Sequence, residues 1–372
     1  MRKRISRRPL LAAGGAAGLL ILAVPALSLA GSPGRPAPYN SPIGGPKWTY
    51  GSRSQPLRSQ ARRADEGYRA YVALAGGYSV STIDVATRTI IGKGISTDAG
   101  QGVAATPDGK KLYIANTGQY DVLAADAVTH TSLSVRVGPY PQDVAVSPDG
   151  RKVYATVTGG DTGAGGSAVV AVIDTATDQV VRDIHVGTAP RQVVFSRDGA
   201  RAYVTYAGGV SVIDAAEDRV VRSIRDPAGP QGIAVDPAGR RLYVAEPQAG
   251  RVSVIDAATG KVRGRIAAGD QPWAVDVTPD GSKVYVARMN DNVVSVVDTA
   301  SRKVMASIGV GKLPQSVAVT PDGSEVWVGN GFSGDVSVID VASGTVVATV
   351  AGGTGTKPLN AAPLGLAFGR TP

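Results

Sequence analysis

Seven aspartates, Asp84, Asp126, Asp174, Asp214, Asp256, Asp298 and Asp340, recur along the chain at steps of 42, 48, 40, 42, 42 and 42 residues. Each closes a β-branched run such as Val252-Ser253-Val254-Ile255-Asp256. A self-similar unit of about 40 to 45 residues cannot bury the faces of its own small sheet, so it stacks on copies of itself. Four short strands per unit, arranged around an axis, form one blade of a β-propeller. The spacing therefore predicts an all-β ring of seven four-stranded blades.

The unit is clearest from Leu313 to Val350. An apolar run, Ser316-Val317-Ala318-Val319, meets a turn at Pro321-Asp322-Gly323; the segment Glu325 to Gly329 follows, then a loop with Gly331 and Gly334, then Val336 to Asp340 and Thr345 to Val350. Period-two alternation of Val, Ile and Tyr bounded by Gly, Pro and Asp is the strand signal. The turn recurs at Pro107-Asp108-Gly109, Pro148-Asp149-Gly150, Arg197-Asp198-Gly199, Pro237-Ala238-Gly239 and Pro279-Asp280-Gly281. Proline presets φ and glycine accepts positive φ, so these residues read as structural. Four residues after each turn glycine stands an aromatic: Tyr113, Tyr154, Tyr203, Tyr243, Tyr285 and Trp327. Phrases such as Tyr243-Val244-Ala245 and Val254-Ile255-Asp256 resemble the YVTN-repeat β-propellers of prokaryotic exported proteins, a group that includes the YncE-like proteins. The resemblance spans residues 65 to about 369 and implies the fold; it does not choose an activity, because one fold hosts many functions.

The two ends of this region complement each other. Gly67 precedes Tyr71 by four residues, so the first unit supplies three strands and lacks an innermost one, which Pro363 to Phe368 can supply. Such pairing would leave no open sheet edge.

The first 30 residues read as an export signal. Arg2, Lys3, Arg4, Arg7 and Arg8 precede an uncharged stretch, Leu10 to Ala30, ending in Ser28-Leu29-Ala30 before Gly31. Ser6-Arg7-Arg8-Pro9-Leu10-Leu11 partly resembles a twin-arginine signal, leaving both that route and the general secretory one open. The stretch is also long enough to span a bilayer as an uncleaved anchor. With either outcome the ring is expected outside the cytoplasmic membrane, in the periplasm, cell envelope or medium. Residues 31–64 are rich in Pro, Gly, Ser and Arg without apolar period, and read as a disordered tether.

Charge follows this division. The chain has 39 Lys and Arg against 30 Asp and Glu. Setting aside the five signal cations, then six tether cations and the acids Asp65 and Glu66, leaves 28 of each sign. A balanced ring argues against a nucleic-acid partner, which the YncE-like resemblance would suggest and which calls for a clustered basic surface. The basic tether could still rest on anionic lipid or cell-wall polymer. There is no cysteine, hence no disulfide, and stability must come from packing. A monomer is expected.

In a propeller, the residues entering the innermost strands and those leaving the second strands share one face around the channel. The first set reads Gln101, Gln142, Arg191, Gln231, Trp273, Gln315 and Leu364; the second reads Leu74, Asn116, Val157, Tyr206, Glu246, Arg288 and Asn330. Arg191, Trp273, Glu246 and Arg288 break the glutamine pattern on three successive blades. Two guanidinium groups, an aromatic plane and a carboxylate suit a polar or anionic ligand, with Tyr206, Gln142, Gln231 and Gln315 around them. The alternative is that Glu246 and Arg288 only pair with each other. A glycine-rich insertion, Thr158 to Gly166, and the loop Gly352 to Ala362 are expected on the same face.

Some seven-bladed propellers are lactonases or histidine- and metal-dependent lyases. Here the two histidines, His130 and His185, fall in a turn and an outer strand. No zinc-type ligand spacing, nucleophile elbow or phosphate loop is present. No cofactor or metal is expected. The reading is a non-enzymatic recognition ring for a small polar ligand, an envelope polymer or a protein. The alternatives are a lactonase or lyase at the same mouth, with Glu246 as acid or base, and a purely structural surface protein.

Overall fold

The structure is a computed structural model that describes residues 67–159, 168–225, 229–351 and 363–372. These fall in one compact unit, Gln60–Pro372. Twenty-eight strands form seven antiparallel sheets of four. Blades are numbered here in chain order, with strands a to d running outward from the axis. The a strands of blades 2 to 7 are Gly100–Ala105, Pro141–Val146, Val193–Phe195, Ile233–Val235, Pro272–Val277 and Pro314–Val319. In blade 1 the C-terminal strand Pro363–Arg370 is strand a and pairs with Tyr68–Leu74, in register from Tyr68↔Arg370 to Leu74↔Pro363. Each a strand contacts the next, and that of blade 7 contacts that of blade 1, so the ring is closed.

The recurrent aspartates are turn caps. Asp84 Oδ1 accepts the Thr87 N–H at 2.7 Å; Asp174 accepts those of Ala176 and Thr177; Asp298 accepts that of Ser301. A carboxylate that satisfies turn N–H groups fixes the c–d hairpin. The same bonds hold the carboxyls of Asp126 and Asp214 below the usual carboxylate range. The Pro-Asp-Gly turns are locked likewise, with Thr106 Oγ1 donating to Asp108 Oδ1 at 2.6 Å. Blade 5 has Ala238 in that place, and Asp236 takes over by accepting from the Arg240 and Arg241 N–H groups.

The aromatic after each turn sits in strand b and fills a seam between blades. Tyr71, Tyr113, Tyr154, Tyr203, Tyr243, Tyr285 and Trp327 are all at most 3% exposed. Each belongs to one of seven buried clusters, and each cluster joins one blade to the next. Tyr243 packs with Val275 and Val284 of blade 6, for example, and Trp327 with Ala70 and Val72 of blade 1. Burying such a ring contributes several kcal/mol, about 3 to 5 by the loss on truncation to alanine.

Polar groups cross the same seams. Lys111 Nζ and Tyr113 Oη of blade 2 donate to Asp178 of blade 3 at 2.7 and 2.6 Å. Lys152 and Tyr154 of blade 3 do the same to Asp218 of blade 4. At the closing seam the polarity is inverted. Blade 7 carries Glu325 where blades 2 and 3 carry lysine, and Arg88 of blade 1 donates to Glu325 Oε1 at 2.7 Å. Trp327 explains the inversion, since its indole can only donate, and it donates to Glu325 Oε2 at 3.0 Å. The acceptor thus stands on the tryptophan's own strand and the cation comes from across the seam.

Two outcomes follow. A chain ending at Asn360 lacks strand a of blade 1, and its far-ultraviolet melt should lose the cooperative transition of the full chain. Glu325→Gln keeps an acceptor for Trp327 but unpairs Arg88, and should lower unfolding free energy in urea by about 1 to 3 kcal/mol. The Arg88→Gln/Glu325→Gln double variant should lose less than the sum of the singles.

Candidate functional site

The d–a connections place one side chain per blade at the channel mouth. Two residues before six of the seven mouth residues the backbone is left-handed, at Ala99, Tyr140, Ala189, Gly229, Gln271 and Leu313, with φ between 44° and 64°. That local turn redirects the chain as it enters strand a. The outcome is a cavity of about 240 Å3 on the axis, bordered by all seven positions: Gln101, Gln142, Arg191, Gln231, Trp273, Gln315 and Leu364.

The inner strands approach so closely that some positions admit only glycine. A Cβ on Gly232 would lie 2.6 Å from the Trp273 carbonyl oxygen, which accepts the Gly232 N–H at 3.0 Å. A Cβ on Gly365 would overlap the Gln101 carbonyl. Where Gly102 leaves room, Asp143 of blade 3 fills it, and its Oδ2 accepts the Val193 N–H of blade 4 at 3.0 Å. Burial pushes the Asp143 carboxyl up to about 7, against the pull of the Val193 and Val144 N–H groups. Asp276, in the strand of Trp273, bridges to the Val319 N–H of blade 7 at 2.8 Å, and burial raises it to about 6.

Arg191 is held at its backbone and free at its tip. Its N–H donates to the Thr205 carbonyl at 2.8 Å, and its carbonyl accepts from Thr156 Oγ1 at 2.7 Å. Its side chain is exposed, and among the described residues its guanidinium has no hydrogen-bond or ion-pair partner. Gln142 Nε2 donates to the Tyr140 carbonyl at 3.2 Å, and Gln315 Nε2 points to Met289 Sδ at 3.6 Å.

The lining is divided. Val317, Leu364, Leu366 and Val103 come from blades 7, 1 and 2, which also contribute Gln315, Ser316 and Gln101, whereas the described lining of blades 3 to 5 is Gln142, Asp143, Arg191, Gln192, Gln231 and Gly232, with no valine or leucine. Trp273 and Ala274 of blade 6 stand at one junction.

The second set expected at the mouth does not border this cavity. Glu246, Arg288 and Tyr206 end strand b of blades 5, 6 and 4, where the register sets them opposite the first residue of strand c. Their side chains are used there. Glu246 is fully buried, pairs with Arg251 at 2.7 Å and accepts from Ser253. Arg288 crosses over Gly269 to Asp291 and reaches Ser295 and Ser307. Asn116 and Asn330 repeat the pattern, bonding to Asp121 and Asp335 at 2.8 and 2.7 Å. The Tyr206 ring lies against Gly187 and Gly208. This position closes the b–c hairpin, so Arg191 and Trp273 remain at the mouth while Glu246 and Arg288 belong to the blades.

Sequence reasoning placed Leu364 at the mouth but passed over Asp143, Gln192, Val103, Val317 and Leu366. The signal for Asp143 was its place: the residue after the mouth position is Gly102, Gly232 and Gly365 in three other blades. Among the described residues, no group of three His, Asp or Glu could hold a metal ion. All but the first two residues of the Thr158 to Gly166 insertion, and the loop at 352–362, lie outside the described residues.

No family model and no curated protein matches the chain. Solved structures do. A chain of Kuenenia stuttgartiensis hydrazine synthase aligns with a TM-score of 0.66 and 24% identity, over 73% of this chain and 92% of that one. A functionally unknown protein from Desulfotomaculum acetoxidans DSM 771 aligns with a TM-score of 0.68 and 15% identity, over 82% and 99%. The likeness at these identities is one of fold. The chain is a seven-bladed β-propeller.

Asp143 makes stability depend on pH. Its folded value, about 7, exceeds the unfolded value of about 3.9, so the native state binds the proton more tightly. Its contribution is full below about pH 4 and is lost as pH rises to about 7. Asp143→Asn retains a carbonyl acceptor for Val193 and removes that slope. Urea melts should show the variant gaining about 1 to 2 kcal/mol relative to the parent between pH 5 and pH 8, less than the full shift because channel water screens the charge.

Proposed function

We propose that the protein is an exported YVTN-type β-propeller, similar to the YncE-like proteins, that acts as a non-enzymatic recognition ring. Its ligand is a small polar or anionic molecule, or such a group on an envelope polymer or a protein, taken at the channel mouth. The observation that carries this reading is Arg191: a residue anchored by its main chain, its guanidinium exposed at the axial cavity and without a partner among the described residues. An arginine guanidinium gives bidentate geometry to carboxylate or phosphate oxygens. Trp273 and the glutamine amides supply a flat face and further donors. The N-terminal basic segment and uncharged stretch support export, with residues 31–64 as a tether.

A second reading is catalytic, and Asp143 favours it. A carboxyl in a cavity with a value near neutrality is a candidate general acid or base. Among the neighbours in fold, hydrazine synthase is an enzyme by name; a fold alone transfers no chemistry.

Affinity capture from native envelope and culture fluid separates the readings. The unaltered chain should retain a molecule that Arg191→Gln and Trp273→Ala both release, with all three proteins melting alike. Turnover of a lactone panel that disappears in Asp143→Asn would instead support the enzyme. Empty, equal columns with no turnover would sink both.

A further inference from the structure

The partition of the axial cavity names a ligand class, and the inference rests on the recognition reading given above. In a seven-membered ring the blades opposite blade 4 are blades 7 and 1. Arg191 therefore faces Val317, Leu364 and Leu366 across the channel, with Val103 beside them on blade 2. Among the described residues the valines and leucines of the lining all fall on these three contiguous blades, beside Gln101, Gln315 and Ser316, whereas the cation stands on the far side among Gln142, Gln192 and Gln231. Trp273, half-buried at the edge between the two arcs, offers its ring to a flat or methylene-rich body.

We propose that the channel mouth binds an amphipathic monocarboxylate, its carboxylate on Arg191 and its hydrocarbon or aromatic body against Leu364, Leu366, Val317 and Trp273. A wholly polar ligand would leave the aliphatic arc wet, and a wholly apolar one would leave the guanidinium and the amides unmatched as water is displaced. Charge sets the anion as singly charged. Among the described residues Arg191 is the one cationic side chain of the lining, and Asp143 adds a carboxyl to the same wall. A dianion such as a phosphate monoester would bring a second charge that no other cation of the described lining meets. One planar guanidinium matches one carboxylate bidentately. The main chain of Arg191 is bonded to Thr205 and Thr156, which roots the side chain at the mouth while its exposed guanidinium stays free to meet the carboxylate.

The test is isothermal titration of the full chain with straight-chain carboxylates from acetate to octanoate, and with octanol and octyltrimethylammonium. The expected result is affinity that rises about two- to fourfold per added methylene. Octanoate should bind at least about tenfold tighter than octanol, and octyltrimethylammonium should not bind, since a charged hydrogen bond is worth about 1.5 to 3 kcal/mol. Arg191→Gln should bring octanoate down to the level of octanol, and Leu366→Ser should weaken octanoate while leaving acetate unchanged. Affinity that ignores chain length, equal binding of the octyl cation, or full octanoate binding by Arg191→Gln would each overturn the proposal. The chain-length and head-group series use the unaltered protein, so they decide even where a variant does not fold. No carboxylate binding, with another molecule still captured through Arg191, overturns the ligand class and leaves the recognition ring standing; no binding and empty capture removes both.

Discussion

The ring depends on the seam between neighbouring blades, where one large aromatic from strand b is buried against the next sheet. No blade holds a core of its own. Each of the seven clusters draws on two blades, so a blade is stable only with both neighbours in place. Closure is then a requirement of the packing. The C-terminal strand Pro363–Arg370 completes blade 1, and Trp327 packs edge-on against Phe368 with ring centres 5.8 Å apart. The closing seam also carries its own polar arrangement. An acid at Glu325 and a base at Arg88 stand where blades 2 and 3 use a lysine against Asp178 and Asp218. Lys111 or Lys152 facing Arg88 would set like charges together, so the inversion favours the one correct partner for blade 1.

Tight seams explain the channel. Pulling seven sheets close enough to bury the aromatics forces the inner strands within a glycine's reach of one another, as at Gly232 and Gly365. The bonds that cross these gaps are mostly backbone or short-polar ones, such as Thr205 Oγ1 to the Gln231 carbonyl at 2.8 Å and Gln192 Oε1 accepting from the Ile233 N–H at 2.7 Å. Those contacts fix the main chain at the mouth and leave the tip of Arg191 uncommitted among the described residues.

The sequence revealed the fold because its punctuation has a mechanical cause. Asp84, Asp126 and their successors recur because every c–d hairpin needs an acceptor for its turn N–H groups, and the tyrosines recur because every seam needs a large side chain. The mouth residues were legible by phase, since the d–a connections into blades 2 to 7 turn at the same left-handed position. The strand b termini shared that phase, but phase does not give direction. Glu246 and Arg288 look outward along their own blades because the register pairs their positions with Arg251 and Val293, and polar atoms on strand c lie nearer than the axis. Asp143 was invisible for the opposite reason: its role arises from the empty space beside Gly102 in another blade.

Symmetry also explains how a site arises on such a scaffold. Seven equivalent positions around an axis begin with equivalent surroundings, so specificity comes only from departures. Four positions carry glutamine, which can donate and accept in any direction. Leucine at 364, arginine at 191 and tryptophan at 273 do not share that indifference, and in a ring their separation is set by blade number alone. Arg191 and Leu364 stand three blades apart one way and four the other, as far apart as seven blades allow. A repeat fold thereby turns the order of substitutions along the chain into a polarity across the channel. Their placement needs no cooperation from the loops, because the seams that hold each blade also hold each mouth residue's backbone.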